Sequence, residues 1–187
     1  MADLPGTGRI GARVLPSARH WGGGMTALSR LSALVVDDNA HVRLILMSVL
    51  ASVGLNKIRQ ACDGTEALEI LRTRTFDFAI VDYSMAPMNG LEFTRFLRNP
   101  GSVSPHLPII MVTGHSEQEH VFKARDAGVN EFLVKPIVPA AVLKRVEMLV
   151  FHPRPFISGD TYFGPDRRRA KRDGPLNMGR RSTDAFS

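Results

Sequence analysis

The stretch Asp77-Phe78-Ala79-Ile80-Val81-Asp82-Tyr83-Ser84-Met85-Ala86-Pro87-Met88-Asn89-Gly90 decides how this chain is read. Its first part is an apolar, partly β-branched run of strand length that ends on a carboxylate. Its second part is a Pro/Asn/Gly loop. Asp82 therefore stands at the carboxyl end of a buried strand, and in open α/β sheets that edge is where ligands and chemistry collect.

Outward from this strand, apolar runs alternate with segments of helix length. Upstream lie Ala33-Leu34-Val35-Val36, closed by Asp37-Asp38, and a short strand from Lys57 to Ala61. Between them Asn39 is a good N-cap for a helix stopped by Gly54, and Asp63-Gly64 turns into a second helix over Thr65 to Leu71. Downstream come a helix from about Gly90 to Asn99, the strand Ile109-Ile110-Met111-Val112 ending at Thr113, and a polar helix from about Ser116 to Ala127. The strand Glu131-Phe132-Leu133-Val134 and a helix from Pro139 to Phe151 complete the series. Five apolar strands, each followed by a helix, predict an α/β fold: a doubly wound, five-stranded parallel sheet with five helices covering both faces. All carboxyl ends then share one edge, which brings Asp37, Asp38, Asp82, Thr113 and Lys135 together.

With 187 residues, 44% of them hydrophobic, the chain can bury one domain with extensions. It has no apolar run of membrane-spanning length and no continuous apolar N-terminal segment, so it reads as a soluble cytoplasmic protein without a membrane partner. A lone Cys62 excludes an internal disulfide, suits a reducing compartment, and reads by itself as a small apolar filler beside a strand. The formal charge of +6 is unevenly placed. Residues 1–30 carry four Arg against one Asp, residues 151–187 carry eight basic against four acidic residues, and the middle, with twelve basic and thirteen acidic, is near neutral. Only the ends can argue for a polyanion partner.

Three segments follow from this. Residues 1–30, rich in Gly, Ala and Arg, are predicted to be a disordered leader, with Met25 as a second candidate start. Residues 31–151 form the domain. Residues 152–187 are a basic, Pro/Gly/Arg-rich tail holding Tyr162, Phe163, Arg167-Arg168-Arg169, Lys171-Arg172 and Arg180-Arg181. The tail is too short and too broken for a DNA-binding output domain and is predicted to be solvated and without regular structure. Docking of a protein is the better reading of its charge, and the near-neutral domain argues against nucleic acid.

Three carboxylates meeting at one edge repel one another, which favours a divalent cation with hard oxygen ligands such as Mg²⁺. That cation and the Lys135 ammonium would offset the charge of an incoming phosphoryl group, and the Thr113 hydroxyl would donate to one of its oxygens. A carboxylate nucleophile that becomes an aspartyl phosphate needs little else. Asp37 alone would read as a turn or N-cap carboxylate; the ordered set of five is what carries the chemistry. A hydrolase of the acid-phosphatase type would need a second carboxylate two residues after the nucleophile, where this chain has Ser84, so no enzymatic output is expected. His41, His106 and His120 show no metal-ligand spacing and read as solvated surface.

Val35-Val36-Asp37-Asp38, Asp82, Thr113 and Lys135-Pro136, in this order and spacing, resemble the receiver domain of two-component response regulators over residues 31–151, and specifically a stand-alone, single-domain member. The resemblance implies a flavodoxin-like fold and a protein that accepts a phosphoryl group on Asp82 from a histidine kinase or histidine phosphotransfer protein. It then signals by conformational change or relays the phosphate. It implies Mg²⁺ held by Asp38, by Asp37 through water, by Asp82 and by the Ser84 backbone carbonyl, with Thr113 and Lys135 on the phosphoryl oxygens and the Lys135–Pro136 peptide cis. Thr113 and Phe132 would be the switch, acting on a face built by the fourth helix, fifth strand and fifth helix, where Arg125, Lys144 and Arg145 fall. A downstream protein would bind there, and the resemblance admits a phosphorylation-dependent homodimer. The chain departs from the family pattern at Ala86-Pro87, where the proline is displaced by one, and at Phe132, where tyrosine is common. Gly114 would leave the phosphoryl group accessible, and Ser84 and His115 would flank the water path. The alternative function is a receiver-fold binding module acting through its basic tail on protein or nucleic acid.

Overall fold

The computed structural model describes residues 28–114, 118–159 and 162–167. The leader up to residue 27, including Met25, the tail arginines from Arg168 onward, and His115 lie outside the described residues. Five strands, β1 (Ser32–Val36), β2 (Lys57–Ala61), β3 (Phe78–Asp82), β4 (Ile109–Thr113) and β5 (Glu131–Val134), form one parallel sheet in the order β2-β1-β3-β4-β5. The connecting helices are α1 (Ala40–Ser52), α2 (Gly64–Thr73), α3 (Gly90–Arg98), α4 (Gln118–Asp126) and α5 (Pro139–Phe151). This is the predicted doubly wound fold.

The two-residue period of the strands divides the core into two layers. Leu34, Val36, Ala79, Val81 and Met111 face Leu68, Leu71, Phe93, Leu97 and Ala124 of α2, α3 and α4. Their neighbours Ala33, Val35, Phe78, Ile80, Ile110 and Val112 face Leu46, Leu50, Val142, Val146 and Leu149 of α1 and α5. Every residue of β3 and β4 is buried, as both-face coverage of central strands requires. Each large apolar side chain in these layers contributes about 1.5–3 kcal/mol on burial.

Short polar side chains set where the helices begin. Asn39 accepts the N–H groups of His41 at 2.9 Å and Val42 at 3.4 Å, Asp63 does the same for Thr65 and Glu66, and Asn89 and Glu92 make a reciprocal capping box at α3. Gly90, the first residue of α3, packs against β3 so tightly that a β-carbon there would land on the carbonyl oxygen of Asp82. Gly54 and Gly128, beyond the ends of α1 and α4, hold φ values of 86° and 97°.

Two sequence expectations change. The start of the tail is not without regular structure: β6 (Phe156–Gly159) and β7 (Tyr162–Pro165) form an antiparallel hairpin. It is held by the half-buried aromatic side chains it brings, which pack on the loops before β4 and β5. His106 in one of those loops is exposed, as expected of a surface residue, and lies edge-on to Phe156 and Phe163 at 5.1 and 5.0 Å. Cys62 is exposed rather than a packed filler, because it falls one residue past β2; neighbouring Glu66 and Asp63, with a little desolvation, push its thiol up to about 11.

Candidate functional site

Strand register assembles the polar residues at the carboxyl edge. Val36 of β1 lies opposite Val81, Asp82 of β3 opposite Val112, and Thr113 of β4 opposite Val134. Asp37, Asp82, Thr113 and Lys135 therefore follow one another across adjacent strand ends, and the Lys135 N–H donates to the Thr113 carbonyl at 2.8 Å. Asp37, Asp82 and Thr113 are almost wholly buried, Asp38 and Ser84 are exposed, and Lys135 reaches in from the rim.

Lys135 Nζ bridges two carboxylates, at 2.8 Å from Asp82 Oδ1 and 3.4 Å from Asp37 Oδ2. Only the shorter contact is a good charge-assisted hydrogen bond. The second oxygens are held by the backbone: Asp82 Oδ2 accepts from the Ser84 N–H at 3.1 Å, and Asp37 Oδ1 from the Asn39 N–H at 2.8 Å. Asp37 Oδ2 is left buried with no hydrogen bond. Desolvation chiefly, and the charge of Asp82, raise the Asp37 carboxyl above its ordinary value against the opposing pull of Asn39 and Lys135. Burial alone would lower the lysine, but the hydrogen bond and charge of Asp82, with those of Asp37, raise it on balance.

One carboxylate oxygen from each of Asp37, Asp38 and Asp82 lies within 4.8 Å of the others. A buried carboxylate oxygen without a donor costs free energy unless a cation serves it, and oxygen-only donors suit a hard divalent ion. The residues thus fit Mg²⁺. Ser84 stands beside this group with its N–H already engaged. Phe132 is half-buried, opposite Met111 in register, and packs on the core layer beneath α2, α3 and α4. The Lys135–Pro136 peptide is cis, as is Ala86–Pro87 at the displaced proline.

Sequence reasoning missed Arg43. Its Nη1 donates to the carbonyl oxygen of Asp37 at 2.6 Å and lies 3.4 Å from that of Asp38, while its Nε donates to Gln60 Oε1 at 3.0 Å. The available signal was its place one helical turn after the cap Asn39, from which an arginine points back toward the helix start.

Residues 33–147 match the family described as response regulator receiver domain. The chain is 32% identical over 119 residues to chemotaxis protein CheY-3 of Vibrio cholerae, covering 64% of this chain and 91% of that protein. It is 33% identical over 119 residues to chemotaxis protein CheY of Pseudomonas aeruginosa, covering 64% and 95%. The crystallized CheY4 of Vibrio cholerae superposes with a TM-score of 0.58 at 32% identity, over 63% of this chain and 96% of that one. With five parallel strands delivering an acidic cluster and a lysine to one edge, and a family match spanning most of that sheet, the chain belongs to the response regulator receiver domain family of two-component signalling.

Proposed function

We propose that Asp82 is the phosphoacceptor of a stand-alone response regulator. A carboxylate oxygen of Asp82 attacks the phosphorus of a phosphohistidine on a histidine kinase or phosphotransfer protein. The P–N bond breaks, and the imidazole nitrogen leaves with the bonding pair and takes up a proton. Asp37, Asp38, Asp82 and the Ser84 carbonyl would hold Mg²⁺, which when bound supplies positive charge against the phosphoryl oxygens. The Lys135 ammonium, paired with Asp82 beforehand, passes to a phosphoryl oxygen, and the Thr113 hydroxyl donates to another.

Displacement of Thr113 then lets Phe132 turn further inward and alters the face of α4, β5 and α5. That face offers exposed apolar side chains, Phe122 of α4, Val134 of β5 and Val138 ahead of α5, to a downstream protein or a second copy of the chain. Arg125, stacked over Phe122 at 5.0 Å, and Arg145, paired with Glu131 at 3.3 Å, border it. No helix among the described residues is long and apolar enough to cross a membrane.

The observation that carries this reading is the Lys135 bridge between Asp82 and Asp37 Oδ2, a buried oxygen that the 3.4 Å ion pair leaves without a hydrogen bond. Intact-mass measurement after incubation with a small phosphodonor and Mg²⁺ tests it. One phosphoryl group is expected on the wild type and none on Asp82→Asn; an unmodified wild type refutes the proposal.

A further inference from the structure

The Asp37–Asp38 pair is held from behind by a side chain with no part in the steps above. We infer that Arg43 is a positioning residue for the cation-binding carboxylates, an inference that rests on Asp37, Asp38 and Asp82 being the cation site. Arg43 lies in the first turn of α1, its N–H donating to the Asn39 carbonyl at 3.1 Å, so its side chain projects back over the β1 end. There the guanidinium serves two directions at once: Nη1 toward the carbonyls of Asp37 and Asp38, and Nε toward Gln60 of β2. A planar fork can do this and an ammonium cannot.

Asp37 is consequently fixed at three points. Its N–H donates to the Ala61 carbonyl at 3.3 Å, its carbonyl accepts from Arg43, and its Oδ1 accepts from Asn39. Only Oδ2 is left, and it faces Lys135. Three carboxylates this close push one another apart, and a freely moving Asp37–Asp38 backbone would relax that repulsion by opening the site. Arg43 resists the opening before any cation arrives, which lowers the ordering cost of binding.

Calorimetric titration of the full chain with MgCl₂ tests this on wild type, Arg43→Ala, Arg43→Lys, Gln60→Ala and the double variant. Arg43→Ala should weaken Mg²⁺ about tenfold. Arg43→Lys should recover part of that loss and Gln60→Ala should lose less. The double variant should match Arg43→Ala rather than the sum of the two, since both act through one contact. When each variant is saturated with Mg²⁺, its phosphorylation rate with a small donor should return close to that of the wild type. Unchanged Mg²⁺ affinity in Arg43→Ala, with only the urea midpoint lowered, overturns the inference and leaves Arg43 as a tie between α1 and the sheet. Should Arg43→Ala not fold, Arg43→Lys and Gln60→Ala carry the same comparison. Absence of Mg²⁺ binding by the wild type would instead refute the cation site itself.

Discussion

The guanidinium of Arg98 lies beneath the ring of Phe156, 5.0 Å from its centroid, and joins the last turn of α3 to the C-terminal hairpin. Arg98 is 6% exposed and donates to the carbonyls of Pro105, Leu107 and Gly128 at 2.8 to 3.1 Å. Burial pushes its pKa down to about 10. Phe156 closes the open side of this buried cation.

Replacing Arg98 with Met should therefore cost about 3 kcal/mol, because three carbonyls lose their donor inside the fold. Phe156→Ala should cost about 1–2 kcal/mol through loss of the ring over the cation and its aromatic neighbours. Urea unfolding of the full chain measures both. A loss below about 0.5 kcal/mol for Arg98→Met would mean those carbonyls find water instead.

Gly90→Ala should displace the backbone of Asp82 itself, since the new methyl lands on its carbonyl oxygen. A stability loss of about 1–3 kcal/mol is expected, together with slower phosphorylation by a small donor. Gly114→Ala is the matched control: nothing among the described residues lies within 4 Å of a β-carbon there, so its stability should stay within about 0.5 kcal/mol of the wild type.

The raised Asp37 carboxyl makes a pH prediction. Between the ordinary carboxylate value and the raised one, the folded chain binds more protons than the unfolded chain, so metal-free stability falls as pH rises through that window. Asp37→Asn should remove this fall and make the metal-free protein more stable at neutral pH. It should also abolish the rise in Tm expected of the wild type on adding Mg²⁺. Thermal melts in EDTA and in MgCl₂ from pH 4 to 7 read both effects; a less stable Asp37→Asn in EDTA would contradict the argument.

Lys135→Ala separates charge neutralisation from cation binding. The lysine is held charged by Asp82 and Asp37, and that pairing would be lost only as pH rises above the ordinary lysine range. The variant should keep its Mg²⁺ affinity yet acquire the phosphoryl group about 100-fold more slowly, as loss of one charged donor to a transition-state oxyanion predicts. Calorimetry and timed intact-mass spectra give the two numbers.

The sheet and its polar edge were legible because both depend on local pattern. β3 and β4 are buried on both faces, so Phe78 to Val81 and Ile109 to Val112 had to be apolar without interruption, and parallel crossovers leave their ends on one side. The hairpin was illegible because its support is not local. Phe156, Tyr162 and Phe163 are set among prolines and glycines, and what they rest on, Arg98 and His106, reads in sequence as a helix-end cation and a loop histidine. A lone Arg98 gives no sign of its burial; the three aromatics flanking Gly159 were the cue available. Arg43 escaped for a similar reason, since what it holds at the site are the backbone carbonyls of Asp37 and Asp38, and every residue has a carbonyl.

The hairpin also sets where cargo can be attached. It sits on the loops that precede β4 and β5, whereas the acidic cluster lies at the opposite, carboxyl edge of the sheet, at the ends of β1 and β3, about 15 Å away for strands of this length. Arg167, stacked on Tyr162 at 3.8 Å and paired with Asp126 at 3.0 Å, is the last described residue on that side. A fluorescent reporter fused directly after Arg167 would leave the domain at the rim opposite Asp82, so a fusion at that point should leave the carboxyl edge of the sheet open where an insertion in the Met85–Asn89 loop would not.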